Sequence, residues 1–196
     1  HYSSRRQRQM CIRDSNQIIA YPTDTIYGLG TDINNNEGID RINSIKMRKQ
    51  PMSVALGSFE IIKNNINAEE DILIKIEEIL KDGSTCIVKY NPGSLNDKIA
   101  KDGKIGFRIP NHDYLKSVLK KYQKPITTTS INKTGSVPLY IPDEIEEKFG
   151  DKIDLLIDGG IIKNNPSKIF MFEADEIKQI RSVSYTHLTL PTTGVV

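Results

Sequence analysis

Short apolar runs closed by turn residues alternate along this chain with stretches in which Ile or Leu recurs every third or fourth position. That alternation dictates which layers the chain can pack. Ile18, Ile19 and Ala20 begin a run stopped by Pro22, and residues 53–57, 85–89, 105–109, 126–129, 153–157, 169–172 and 177–180 read likewise as strands. Between them, Ile39, Ile42 and Ile45 mark one face of a helix ending near Met47. Ile72, Ile76, Ile79 and Leu80 mark a second helix over 68–80, with Asn67 as its cap and Asp82-Gly83 as its stop. Leu115, Val118 and Leu119 define a third over 114–119, and residues 142–149 a fourth. Strands interleaved with helices predict an α/β domain with a twisted, mostly mixed sheet flanked by helices.

Composition narrows the class. The 196 residues contain no apolar run of about 18, so no membrane span is expected. Two cysteines, Cys11 and Cys86, cannot make a disulfide framework, and no Cys/His cluster has metal-ligand spacing. A cytoplasmic setting and no protein-held metal are the expectations. The net charge of +2 is concentrated in residues 1–15, where Arg5, Arg6, Arg8 and Arg13 face Asp14 alone. Residues 16–181 carry 23 Lys and Arg against 24 Asp and Glu. Residues 1–15 and 182–196 lack the periodicity of the rest and read as a non-native or disordered head and tail; a basic arm for nucleic acid is the alternative for the head. Residues 16–181 read as one domain.

Within 16–181 there are 19 Lys but only four Arg: Arg41, Arg48, Arg108 and Arg181. A chain that uses Lys for solvated charge keeps Arg where a planar fork must grip a carboxylate or phosphate. Arg41 reads as surface charge on its helix. The other three fall in distinctive surroundings. Residues 21–30, YPTDTIYGLG, set Thr23, Thr25 and Tyr27 around an acid and a glycine pair; spacing alone favours a structural turn with satisfied hydroxyls. Lys46-Met47-Arg48, followed by Gln50-Pro51, could clamp polyphosphate or complement a helix C-terminus. Arg108 ends a predicted strand in GFRIP, where open α/β sheets collect ligands. Ser130 and Asn132 lie in TTTSIN, and Ser167 and Arg181 near the last strands. No Gly-rich phosphate loop is present.

Taken in order, YPTDTIYGLG, KMR with its following Pro, GFRIP, SIN with a later Gly, Asp158-Gly159-Gly160, PSKIF and the final IR resemble the YrdC-like threonylcarbamoyl-AMP synthases over about 17–181. The resemblance implies an L-threonylcarbamoyladenylate synthase. Such an enzyme makes threonylcarbamoyl-AMP and pyrophosphate from L-threonine, bicarbonate and ATP with Mg²⁺, and a downstream transfer complex carries the group to tRNA. It implies that Thr25, Arg108, Ser130 and Ser167 hold threonine, with Arg108 on its carboxylate. Lys46, Arg48, Gln50, Asn132 and Arg181 would hold the nucleotide, Lys46 and Arg48 stabilising charge in catalysis, while Thr23 and Tyr27 shape the pocket. The pattern departs at Gln50, at residues 94–96 and at Lys168.

Two other functions are weighed against this one. A non-catalytic double-stranded RNA-binding module would need a basic face, to which Lys116, Lys120, Lys121 and Lys124 could contribute; a solvated helix face is the simpler reading. A carbamoyl-adenylate-forming relative of hydrogenase maturation would carry extra zinc-finger and acylphosphatase-like regions, and residues 16–181 hold neither.

Overall fold

The computed structural model describes residues 17–47, 51–173 and 176–181. The expected heads and tails at 1–15 and 182–196 lie outside these. In chain order, strands β1 (Ile19–Tyr21) and β2 (Gly28–Gly30) lead into helix α1 (Asn36–Lys46), then β3 (Ser53–Ala55), α2 (Phe59–Lys63) and α3 (Glu70–Lys81). There follow β4 (Thr85–Lys89), β5 (Lys104–Arg108), α4 (Asp113–Tyr122), β6 (Ile126–Ser130), α5 (Pro142–Phe149), β7 (Leu155–Leu156), β8 (Ile169–Glu173) and β9 (Glu176–Arg181). The strands form one sheet in the order β7-β1-β2-β6-β3-β5-β4-β8-β9. Parallel pairings (β1 with β7, β3 with β5, β4 with β8) are mixed with antiparallel ones, and the end strands β7 and β9 leave the sheet open. The expected mixed α/β domain is the observed one.

Register separates the two faces of the sheet. Thr127, Val54, Phe107 and Cys86 are neighbours across β6, β3, β5 and β4, and all four are buried. Ile39, Ile42 and Ile45 of α1, Ile62 of α2, and Ile76 and Leu80 of α3 join them in the main core. An 11-residue helix is marginal alone, so α1 depends on burying these isoleucines, each contributing about 1.5–3 kcal/mol. Asn35 caps it by accepting from Gly38 N at 2.8 Å. The other face carries Thr128, Ser53, Gly106, Ile87 and Met171 in register. At one end of it, Leu115 and Leu119 of α4 pack with Ala55, Tyr21 and Ile126; the rest stays open.

Several expectations are corrected. Asn67 does not cap α3: the chain stays extended through Glu69, and the helix begins at Glu70, its acidic first turn facing the positive end of the dipole. Gly28 and Gly30 form strand β2 rather than a turn. A Cβ on Gly28 would lie 2.8 Å from the Tyr21 ring, and one on Gly30 would lie 2.1 Å from Thr127 O, so only glycine lets β2 pass between β1 and β6. The expected strand at 153–157 shortens to Leu155–Leu156, and α2 was not foreseen. Arg41 is more than a solvated charge. It reaches Asp154 at 3.0 Å, and Asp154 also accepts from Ile18 N, tying α1 to the start of β1.

Candidate anion-binding site

The open sheet face forms the floor of a cavity of about 710 Å³, a size typical of small-molecule sites. Ser53, Thr85, Ile87, Gly106 and Thr128 contribute to the floor. Gly106 keeps it low, because a Cβ there would stand 2.8 Å from Ser53 Oγ and 3.3 Å from Thr85 Cγ2. The walls include residues 23–27, the segment after β6, Pro166-Ser167, Arg181 and, before and at the start of β5, Lys101, Asp102 and Lys104.

Arg108, at the C-terminal end of β5, is buried. Its Nε donates to Gly83 O at 2.9 Å, and its Nη2 donates to Asp24 Oδ1 at 2.8 Å and Thr25 Oγ1 at 2.9 Å. Three of five donors are thus used. Among the described residues, Nη1 makes no hydrogen bond. The Thr25 and Thr23 hydroxyls are 3.0 Å apart, and Thr23 Oγ1 donates to Ile26 O at 2.6 Å. The turn reading of YPTDTIYGLG therefore holds for the threonines, which close the loop on itself.

Helix α1 ends at Lys46, because Met47 adopts a left-handed conformation (φ 54°); such backbone costs a non-glycine residue about 1–2 kcal/mol. Thr134 offsets this by donating both N–H and Oγ1–H to Lys46 O. Lys46 is 2% exposed and does not line the cavity. Its Nζ donates to Ser130 O, Ser130 Oγ and Asn132 Oδ1, the last at 2.6 Å. Ser130 Oγ donates to Asn132 Oδ1 at 2.6 Å, and Asn132 Nδ2 donates to Lys133 O and Ser136 O. Lys46 thus stands behind the wall that Ser130 and Asn132 present to the cavity. Arg48 and Gln50 lie outside the described residues.

On the opposite wall, Tyr27 Oη donates to Gly160 O at 2.8 Å and accepts from Gly159 N at 2.9 Å, pinning the Asp158-Gly159-Gly160 turn. Burial raises its pKa, the Gly159 N–H opposes the shift, and the Asp158 charge adds to it. Ser167 Oγ lies 3.1 Å from Thr85 Oγ1, and the exposed Arg181 fork grips Ser167 O through Nε and Nη2. The cavity therefore gathers Thr23, Thr25, Tyr27, Arg108, Ser130, Asn132, Ser167 and Arg181. Sequence reasoning passed over Asp24, Gly83 and Thr85; Asp24 was visible only as the acid inside its motif. Lys116, Lys120, Lys121 and Lys124 lie on or just beyond α4, away from the cavity, the last three exposed. Among the described residues no three His, Cys, Asp or Glu side chains cluster to hold a metal, and no helix is long and apolar enough to cross a membrane.

The fold and the cavity define an open mixed α/β domain with guanidinium, hydroxyl and amide groups gathered around one cavity. The sequence profile of the Sua5/YciO/YrdC family, described as "Telomere recombination", matches residues 11–182. The chain belongs to that family. A Methanocaldococcus jannaschii protein, provisionally named a threonylcarbamoyl-AMP synthase, is 32% identical over 168 residues, covering 84% of this chain and 79% of its own. The Vibrio campbellii threonylcarbamoyl-AMP synthase is 27% identical over 161 residues, covering 78% and 86%. These names place the chain among nucleotidyltransferase-type enzymes. Escherichia coli YciO shares the fold with a TM-score of 0.78 at 20% identity, covering 88% of this chain and 86% of that one. P. abyssi Sua5 complexed with L-threonine gives 0.75 at 22% identity over 86% of this chain, which spans about half (51%) of that protein.

Proposed function

We propose that the chain is an L-threonylcarbamoyladenylate synthase, which joins L-threonine, bicarbonate and ATP into threonylcarbamoyl-AMP for threonylcarbamoyl-adenosine modification of tRNA. The observation that carries this reading is the gathering of Arg108, Ser130, Asn132, Ser167 and Arg181 around one cavity. The L-threonine bound by P. abyssi Sua5 supports it. Arg108, Thr25, Ser130 and Ser167 would receive the amino acid. Asn132 and Arg181, with Arg48 and Gln50, would receive the nucleotide.

The threonine amine condenses with bicarbonate to a carbamate, releasing water. A carbamate oxygen then bonds to the α-phosphorus of ATP, the bond from that phosphorus to the bridging oxygen breaks, and pyrophosphate leaves with the electron pair. The substrate supplies its own nucleophile, so the protein's part is alignment and charge neutralisation. Lys46 acts here by holding Ser130 and Asn132 in place. Among the described residues the cavity lining offers one carboxylate, Asp102, beside hydroxyl and amide oxygens and no carboxylate cage, which fits Mg²⁺ arriving on the phosphates as MgATP. A downstream transfer complex would collect the adenylate and modify tRNA.

The test is direct. The purified chain with MgATP, bicarbonate and labelled L-threonine is expected to release pyrophosphate and form a threonine-containing adenylate. Pyrophosphate release that does not depend on threonine overturns the proposal.

A further inference from the structure

We infer that Asp24 is the positioning residue for Arg108, held in place against Gly83, so that only the Nη1 side of the guanidinium is offered to the carboxylate of the amino acid. This deepens the functional reading above and rests on it. Asp24 does not line the cavity; its side chain is 16% exposed and stands behind Arg108. Its Oδ1 takes one Nη2 hydrogen and Thr25 Oγ1 takes the other, while Gly83 O takes the Nε hydrogen. The Nε/Nη2 edge, the usual bidentate seat for a carboxylate, is therefore filled by the protein itself. An entering carboxylate must approach from Nη1, which fixes the direction from which the amino acid lies in the cavity.

Asp24 is itself held. Its carbonyl accepts from Asn164 Nδ2 at 3.1 Å, and Thr23 Oγ1 closes the turn around it by accepting from Thr25 N and Ile26 N. Gly83 follows the C-cap of α3 at φ +78°, and a Cβ there would lie 2.5 Å from Asp24 Oδ2. The same glycine thus ends the helix, makes room for the carboxylate and offers its carbonyl to Arg108. Displacement of Asp24 by the ligand is disfavoured, since it would strand a buried carboxylate beside a buried cation.

Steady-state kinetics of the full chain test this. Asp24→Ala is expected to raise KM for L-threonine about tenfold or more, the equivalent of one charge-assisted hydrogen bond, with KM for ATP within about twofold. It should also narrow the kcat/KM preference for L-threonine over L-threonine amide by about tenfold, because the neutral amide lacks the charge that the Nη1 contact rewards. Asp24→Asn keeps the Oδ1 acceptor and should recover threonine KM to within about threefold of wild type. Threonine KM unmoved in Asp24→Ala, or threonine and ATP KM rising together, overturns the inference; so does an equal loss in Asp24→Asn, which would mean that charge rather than geometry matters. If circular dichroism finds Asp24→Ala unfolded, Asp24→Glu decides. That variant keeps the charge but shifts the carboxylate by one methylene, so a threonine KM raised about fivefold supports positioning and an unchanged one overturns it. Calorimetry separates the two readings: a wild-type chain that neither binds nor uses threonine overturns the function itself, whereas threonine binding that survives Asp24→Ala overturns positioning alone.

Discussion

Lys46 Nζ lies 2.6 Å from Asn132 Oδ1, joining the last residue of α1 to the loop after β6 across 86 positions of sequence. Removing that ammonium leaves Ser130 O and Asn132 Oδ1 without a donor they now share. Lys46→Ala is therefore expected to cost about 1–3 kcal/mol, the penalty for buried groups losing a partner. At this chain length, each kcal/mol lowers the melting temperature by about 2–4 °C. KM for ATP should rise with it, as the Ser130–Asn132 wall loosens. Thermal unfolding and nucleotide titration check both parts; wild-type values in each would show that Lys46 holds nothing.

Arg108→Ala is expected to weaken threonine use by about 1.5–3 kcal/mol, the scale of hydrogen bonds to a charged group. Arg108→Lys should recover little. A single ammonium cannot reach Gly83 O, Asp24 Oδ1 and Thr25 Oγ1 and still face the ligand, as the fork does. The measurement is kcat/KM for threonine at saturating ATP, and an Arg108→Lys variant near wild type would remove the geometric argument.

The fold was legible wherever burial follows period. Ile39, Ile42 and Ile45 fixed α1, and residues 85–89 were read with the bounds that β4 has. Strand β2 was illegible because Gly28 and Gly30 carry no strand propensity of their own. Their reason is the Tyr21 ring and Thr127 O, contacts that no local window contains. Helix α2, of five residues, is too short for a periodic signal. At the site, the scarcity of Arg pointed to Arg108 and Arg181, whereas the parts played by Asp24 and Lys46 depend on what stands beside them. Gly83 lies 59 positions from Asp24, and only the folded chain brings the two together.

The glycines of β2 and β5 should fail differently. A Cβ on Gly30 would meet backbone, Thr127 O at 2.1 Å, which cannot swing aside. Gly30→Ala is expected to cost about 2–3 kcal/mol, as overpacking in a full interior does. At Gly106 the nearest obstacle is Ser53 Oγ at 2.8 Å, a side-chain end that can turn, and the new methyl would rise from the cavity floor. Gly106→Ala should hold its unfolding free energy, read from urea titration, within about 1 kcal/mol of wild type yet lower kcat/KM. The reverse pattern would mean that the floor is not where substrates lie.

Stability should fall at alkaline pH. Cys86 pairs in register with Phe107 and Phe170, and burial pushes its thiol from 9.0 to about 12. The phenol of Tyr21 is likewise pushed from 10.0 to about 12 by burial, which outweighs the opposing Thr128 hydrogen bond and Arg108 charge. Both folded values lie above the unfolded ones, so above pH 9 to 10 the unfolded chain binds fewer protons than the folded one. The stability from these groups is then complete below about pH 9 and lost progressively up to about pH 12, each titrating group contributing up to about 1.4 kcal/mol per pH unit. Urea midpoints across that range check the sign, and a midpoint that rises with pH would refute it. In a Cys11→Ser variant, where Cys86 alone reports, a thiol reagent at neutral pH should react only as fast as the chain unfolds; prompt labelling would mean that the sheet interior around Cys86 is open.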